Sequence, residues 1–96
     1  NENGEEVIPL FVSELLTPNQ PGVESTWRIV NIEKYPTANV KVYSVDWNIV
    51  FESWSYKNDW DGKGKEGNSL PSGPYYYIID RGDETTVVEG WLYIFN

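Results

Sequence analysis

Three side chains are missing from this sequence: it has no cysteine, no histidine and no methionine. Without cysteine there is no disulfide and no thiolate metal ligand. Without histidine the chain lacks the side chain best suited to acid–base work near pH 7, which is also the commonest metal ligand. Ser-His-Asp catalysis, Cys-His catalysis and histidine zinc sites are excluded together. The lack of methionine argues against a soft, Met-lined groove. Positive charge is scarce, with 7 Lys+Arg against 15 Asp+Glu and a formal net charge of −8. Such a surface repels phosphate backbones, so no nucleic-acid partner is expected. Anionic membrane surfaces are disfavoured for the same reason. A basic protein would be steered toward it, faster at low salt, although solubility alone also explains the charge. Apolar runs are only a few residues long, so no segment reads as a membrane span. The chain does not open on methionine and carries no signal-peptide pattern, which reads as a processed or excised fragment.

Aromatic residues are plentiful, with five tryptophans, seven tyrosines and three phenylalanines among 96 residues. No segment shows a sustained 3.6-residue apolar period, which argues against helix. Tyrosine and β-branched residues fit a pleated, half-buried surface. Strands are expected over 7–12, with Pro9 marking an edge or bend, and over 27–32, with Trp27 and Ile29 on one face. A turn or single helical turn follows at Glu33-Lys34-Tyr35-Pro36. Residues 39–45 alternate, with Val40 and Val42 on one side and Lys41, Tyr43 and Val45 on the other. Asp46-Trp47-Asn48 makes a hairpin loop, and 49–53 returns as a strand. Residues 54–69 form a long polar loop anchored by Trp60. Residues 74–80 and 85–95 are the last strands, and Gly90 suggests a bulge or a close backbone approach. About seven short strands between turn residues predict a single all-β domain over 1–96, an Ig-like antiparallel β-sandwich. With no disulfide, tryptophan and tyrosine must fill the inter-sheet space, each burying roughly 150–250 Å².

Several motifs group together. Thr17-Pro18-Asn19 leads toward Trp27, and Val40-Lys41-Val42-Tyr43 leads through Trp47 to Val50-Phe51. Trp60-Asp61-Gly62 is followed by Leu70-Pro71-Ser72-Gly73 and then Tyr75-Tyr76-Tyr77. Gly90, Leu92 and Ile94 close the chain at alternate positions. In these motifs, spread from Phe11 to Ile94, the sequence resembles the gliding-motility-associated C-terminal domain of Bacteroidota, the type B sorting domain of the type IX secretion system. The resemblance implies an Ig-like sandwich at the C-terminus of a secreted or cell-surface cargo, read by the translocation machinery. It implies no enzyme activity and no cofactor.

The departures from the family pattern cluster. Gln20-Pro21 stands where the family has Gly-Asp, and Glu24-Ser25 where it has Asn-Asp. Ser44-Val45-Asp46-Trp47 replaces an Asn-Arg-Trp-Gly turn, Trp54 adds an aromatic beside the long loop, and Pro74 sits at the mouth of a strand. Loops are where recognition concentrates. The candidate partner-binding residues are therefore Gln20, Pro21, Glu24, Ser25, Val45, Asp46, Trp47, Trp54 and Pro74, on altered loops 19–25 and 44–54. The partner is a protein of the secretion machinery. In the alternative reading, an engineered binder built on the same scaffold, it is a designed target, with a basic one favoured by charge. A monomer is expected. Trp47 and Trp54 are candidate anchors, since tryptophan is enriched in interface hot spots; the competing reading folds them over the core as lids. Trp27, Trp60 and Trp91 are expected in the core, because they fall at matched framework positions. Arg81-Gly82-Asp83 spells an adhesion tripeptide, but it is also ordinary turn chemistry. Asp59, Asp61 and Glu66 do not follow the twelve-residue calcium-loop spacing, and Asp46 and Glu52 have no pattern that supports a catalytic pair. No catalytic, metal or cofactor residue is assigned.

Overall fold

The densest run of strand-favouring residues, Tyr75 to Ile79, forms the middle of the longest strand. The computed structural model describes residues 8–19, 25–82 and 87–96, which contain seven strands and one 3-10 turn. Strand β1 is Phe11–Val12, β2 Leu15–Leu16, β3 Ile29–Val30, β4 Asn39–Tyr43, β5 Ile49–Trp54, β6 Gly73–Asp80 and β7 Val88–Ile94. Five of them form one sheet in the order β2-β7-β6-β4-β5, and β1 and β3 pair as a second sheet. The architecture is the expected Ig-like sandwich.

One pairing departs from the antiparallel expectation. β2 runs parallel to β7, with Leu15 beside Tyr93 and Leu16 beside Ile94. A hairpin can only make an antiparallel neighbour. β2 instead follows directly from β1 in the other sheet, so the chain crosses layers before it pairs. The Tyr93 and Phe95 N–H groups donate to the Glu14 and Leu16 carbonyls at 2.9 Å each.

Several strands are shorter than the sequence suggests. The expected strand over 27–32 survives only as β3, because Asn31 takes a left-handed conformation (φ 75°) and a 3-10 turn follows at Ile32–Lys34. The first strand is confined to β1, and the Pro9 nitrogen has no hydrogen to give a ladder. Val7 lies outside the described residues, as do residues 85 and 86 of the expected last strand. β5 runs one residue further than expected, so Trp54 ends a strand and does not begin a loop.

The core follows from the two-residue period of strands. Val40 and Val42 of β4, Tyr75, Tyr77 and Ile79 of β6, and Leu92 and Ile94 of β7 all turn inward and are buried. Fully buried Trp27 sits opposite them, with ring centroids 5.8 Å from Tyr56, 5.9 Å from Trp60 and 5.6 Å from Tyr77. Its indole N–H donates to the Ser13 carbonyl at 2.8 Å. Gly90 faces Tyr77 across the β6–β7 ladder without any shift of register. A Cβ there would lie 2.8 Å from the Tyr77 hydroxyl oxygen, so the glycine serves a close approach and not a bulge.

Candidate functional site

The residues singled out from the sequence fall into three groups. Gln20, Pro21 and Glu24 lie outside the described residues. Ser25 is half-buried beside the core residue Trp27. The other five sit on or beside the five-stranded sheet. Val45, Asp46 and Pro74 come together at one end of it, where they line a shallow groove with Leu70 and Tyr75. Trp47 and Trp54 are 60 % and 67 % exposed, so neither is a lid on the core. They do not share a corner, because a whole strand separates them: Trp47 lies in the β4–β5 turn and Trp54 ends β5, roughly 15–20 Å away at about 3.3 Å per residue. The span 44–54 is thus a turn plus an edge strand, not one loop.

The turn fixes where Trp47 points. Its N–H donates to the Ser44 carbonyl at 2.9 Å, and the Ser44 N–H donates to the Asn48 carbonyl at 2.9 Å. Trp47 is left-handed (φ 64°), which swings its indole back over the outward face of the sheet. There it meets Tyr43 edge-on at 6.2 Å and Tyr76 at 5.5 Å, and Tyr76 in turn meets Trp91 at 5.0 Å. Edge-to-face aromatic pairs at such distances are favourable by about 0.5–1.5 kcal/mol beyond area burial.

Trp91 overturns an expectation. It is 52 % exposed and belongs to this outer row, not to the core. Tyr43, Tyr76 and Trp91 are direct cross-strand neighbours, and Pro74, Tyr93 and Leu15 form the next row along the sheet. On the other side of the aromatic row lie Glu52, Lys41, Ile78 and Glu89. The Tyr76 hydroxyl donates to the Glu89 carboxylate, and that bond holds the phenol above its ordinary range. Asn39 Nδ2 donates to Glu52 Oε2 at 2.9 Å. The sequence reading missed Tyr43, Tyr76, Tyr93 and Leu15. A signal was available, since Gly90, Leu92 and Ile94 turned inward force Trp91 and Tyr93 outward.

The remaining candidates have structural roles. Trp27 and Trp60 are buried as expected. Arg81 is half-buried with its guanidinium 5.7 Å from the Tyr35 ring, and Asp83 lies outside the described residues. The Asp61 carboxylate takes the Lys63 ammonium at 2.8 Å, and Asn58 Oδ1 accepts the Ile29 N–H at 2.7 Å. Among the described residues no three acidic side chains gather where they could hold a metal ion. No helix among them is long and apolar enough to cross a membrane.

A family model for the CHU_C type IX secretion signal domain matches residues 10–94. The chain belongs to this family. The likeness to a sorting domain of the same secretion system, read from Phe11 to Ile94, agrees with that membership. No curated protein matches the chain. Among the solved structures that match is one with a TM-score of 0.57 at 15 % identity, covering 91 % of this chain and 11 % of its own. It is PorZ, described as an essential surface component of the type IX secretion system of Porphyromonas gingivalis. This chain thus spans only 11 % of that protein's length, and at that identity the likeness speaks for the fold alone. As a type IX secretion signal domain, the CHU_C chain has a secretion-sorting role.

Proposed function

We propose that the chain acts as one domain that marks a cargo for type IX secretion by offering a rigid, non-catalytic surface to a protein of the machinery. The observation that carries this reading is the family match over residues 10–94. The site chemistry supports binding over turnover. Among the described residues the phenols of Tyr56, Tyr75, Tyr76 and Tyr77 are pushed upward, away from neutral pH. A net charge of −8 favours a monomer and a basic protein partner over nucleic acid or an anionic membrane. The cargo's destination is the cell surface or the medium. The test is a reporter fused ahead of the chain in a type IX-competent host. Reporter at the surface or in the medium is expected; reporter held inside the cell rejects the reading.

The exposure of Trp47 and Trp54 favours a second reading, a binder re-surfaced by design at 19–25 and 44–54. Changing both tryptophans to Ala then abolishes target binding while the chain still folds, with Tm lowered only by the loss of the Trp47 contacts to Tyr43 and Tyr76. Loss of the fold in that variant would count against it.

A further inference from the structure

An antiparallel sheet with one face on the core normally turns polar side chains to water on the other. The five-stranded sheet does the reverse over half of its outer face. Trp47 and Trp91 are more than half exposed, Tyr93 is 47 % and Leu15 42 % exposed, and all four lie on adjoining rows. A contiguous apolar patch of this kind marks an interaction site more often than chance exposure does. We propose that this face, anchored by Trp47, Tyr76 and Trp91 and flanked by Glu52 and Glu89, is the docking surface for an arginine-bearing protein of the secretion apparatus. The assignment rests on the sorting reading and adds to it both the place and the chemistry of contact.

Charge selects the occupant. A second copy would bring −8 against −8, and the row beside the apolar centre carries two carboxylates, Glu52 and Glu89, to one cation, Lys41. Arginine meets both halves of the surface. Its planar guanidinium stacks on an indole and pairs with a carboxylate in the same pose. The size also suits a protein. The whole outer face, apolar patch and charged row together, has strands about 4.8 Å apart and projects on the order of 450 Å². A surface studded with indoles exposes more than its projection, which approaches the ~800 Å² each partner contributes to a standard interface. Aromatic anchors beside a polar rim are the usual anatomy of an interface.

The test uses the reporter fusion in a type IX-competent host with two pairs of face variants. One is Trp47→Ala with Trp91→Ala, and the other is Glu52→Lys with Glu89→Lys. Controls remove apolar area from the second sheet (Phe11→Ala with Val30→Ala) and make the same charge change off the face (Glu33→Lys with Glu66→Lys). Export is expected to fall at least tenfold for both face pairs and less than twofold for both controls, with every variant melting cooperatively. The rim carboxylates are exposed, but each accepts one hydrogen bond, Glu52 from Asn39 and Glu89 from Tyr76. The rim pair therefore decides the matter, if the indole pair is poorly folded, once its Tm is shown to match that of the charge control. Wild-type export together with unchanged export of the rim pair overturns this assignment and leaves the sorting reading standing. A wild-type fusion held inside the cell rejects both. Sedimentation of the purified chain in ~0.5 M NaCl checks the remaining occupant. A monomer is expected, and a dimer abolished by Trp91→Ala would give the face to a second copy.

Discussion

Tyr56 joins two core backbone groups through a single oxygen. Its hydroxyl donates to the Trp27 carbonyl at 2.7 Å and accepts the Trp60 N–H at 2.9 Å. Burial pushes its phenol well above the ordinary tyrosine value, while the bond from the Trp60 N–H pulls it the other way. The sign for stability follows. Below about pH 10 the phenol is protonated in both folded and unfolded chains. Above it the unfolded chain releases the proton first and so binds fewer protons, and stability falls with rising pH. Buried Tyr77 and Tyr75 act in the same direction. Denaturant titrations from pH 8 to 11.5 should therefore show steady loss above about pH 10. Tyr56→Phe should cost about 1–3 kcal/mol at pH 8, because it leaves two buried backbone groups unpaired, and should flatten the alkaline slope. An unchanged slope would show that Tyr56 is not the group responsible. Gly90 makes a second residue-scale prediction. A Cβ at that position lies 2.8 Å from the Tyr77 hydroxyl oxygen and 3.1 Å from its ring carbon. Gly90→Ala should destabilise by about 1–3 kcal/mol through overpacking. Adding Tyr77→Phe should recover part of the loss, and strict additivity in a double-mutant cycle would argue that the two do not touch.

The long connection between β5 and β6 is held to the core by three buried side chains, Tyr56, Trp60 and Leu70. Trp60 stacks on Phe51 with centroids 4.5 Å apart and planes 18° from parallel, and its indole N–H donates to the Lys63 carbonyl at 2.9 Å. The turn that follows is closed by the Leu70 N–H donating to the Gly62 carbonyl at 3.0 Å. Trp60→Ala should cost about 3–5 kcal/mol. Amides of residues 63–70 should then exchange faster than those of β4 and β6, and equal acceleration throughout would mean that the loop does not open as a unit. This element was legible in sequence because its determinants are local: an aromatic, a short polar turn and a glycine within three residues. β6 was legible for the same reason, with proline before it and a run of tyrosine and isoleucine inside it. The parallel seat of β2 was not, because Leu15 finds Tyr93 across almost the whole chain and no local signal encodes that meeting. β3 was overestimated because Asn31 leaves the extended region, a choice that asparagine tolerates but does not announce. Trp91 was misplaced because both faces of β7 are apolar. Periodicity then fixes which residues share a side without saying which side is the core.

At the scale of the whole molecule, the sequence showed that the charge is one-sided, but it left Trp47 and Trp54 open between surface anchors and lids on the core, which their exposure decides. It did not show that Trp47 lies back across an outward aromatic row. That depends on the left-handed turn and on the register of four strands at once. The charge itself has a measurable consequence. Eight net negative charges sit on a molecule with a radius of gyration of 13.7 Å. Against that, the one ion pair within 4 Å among the described residues is Lys63–Asp61, at 2.8 Å and solvent-exposed. Exposed pairs of this kind are worth about 0–1 kcal/mol, so self-repulsion should dominate the electrostatics of folding. The Debye length shrinks from about 30 Å at 0.01 M salt to near 3 Å at 1 M, which carries it from well above the 13.7 Å radius of gyration to well below it. Sodium chloride should therefore raise Tm between ~0.01 and ~0.5 M. A gain on the order of 1 kcal/mol would appear as roughly 4–8 °C for a domain of this size. Chloride is the appropriate salt, since sulfate also strengthens apolar burial. The Glu33→Lys, Glu66→Lys variant halves the net charge and should respond less. A Tm that falls with added chloride would mean that attractive pairs outweigh the repulsion, and it would weaken the charge argument for an arginine-bearing partner.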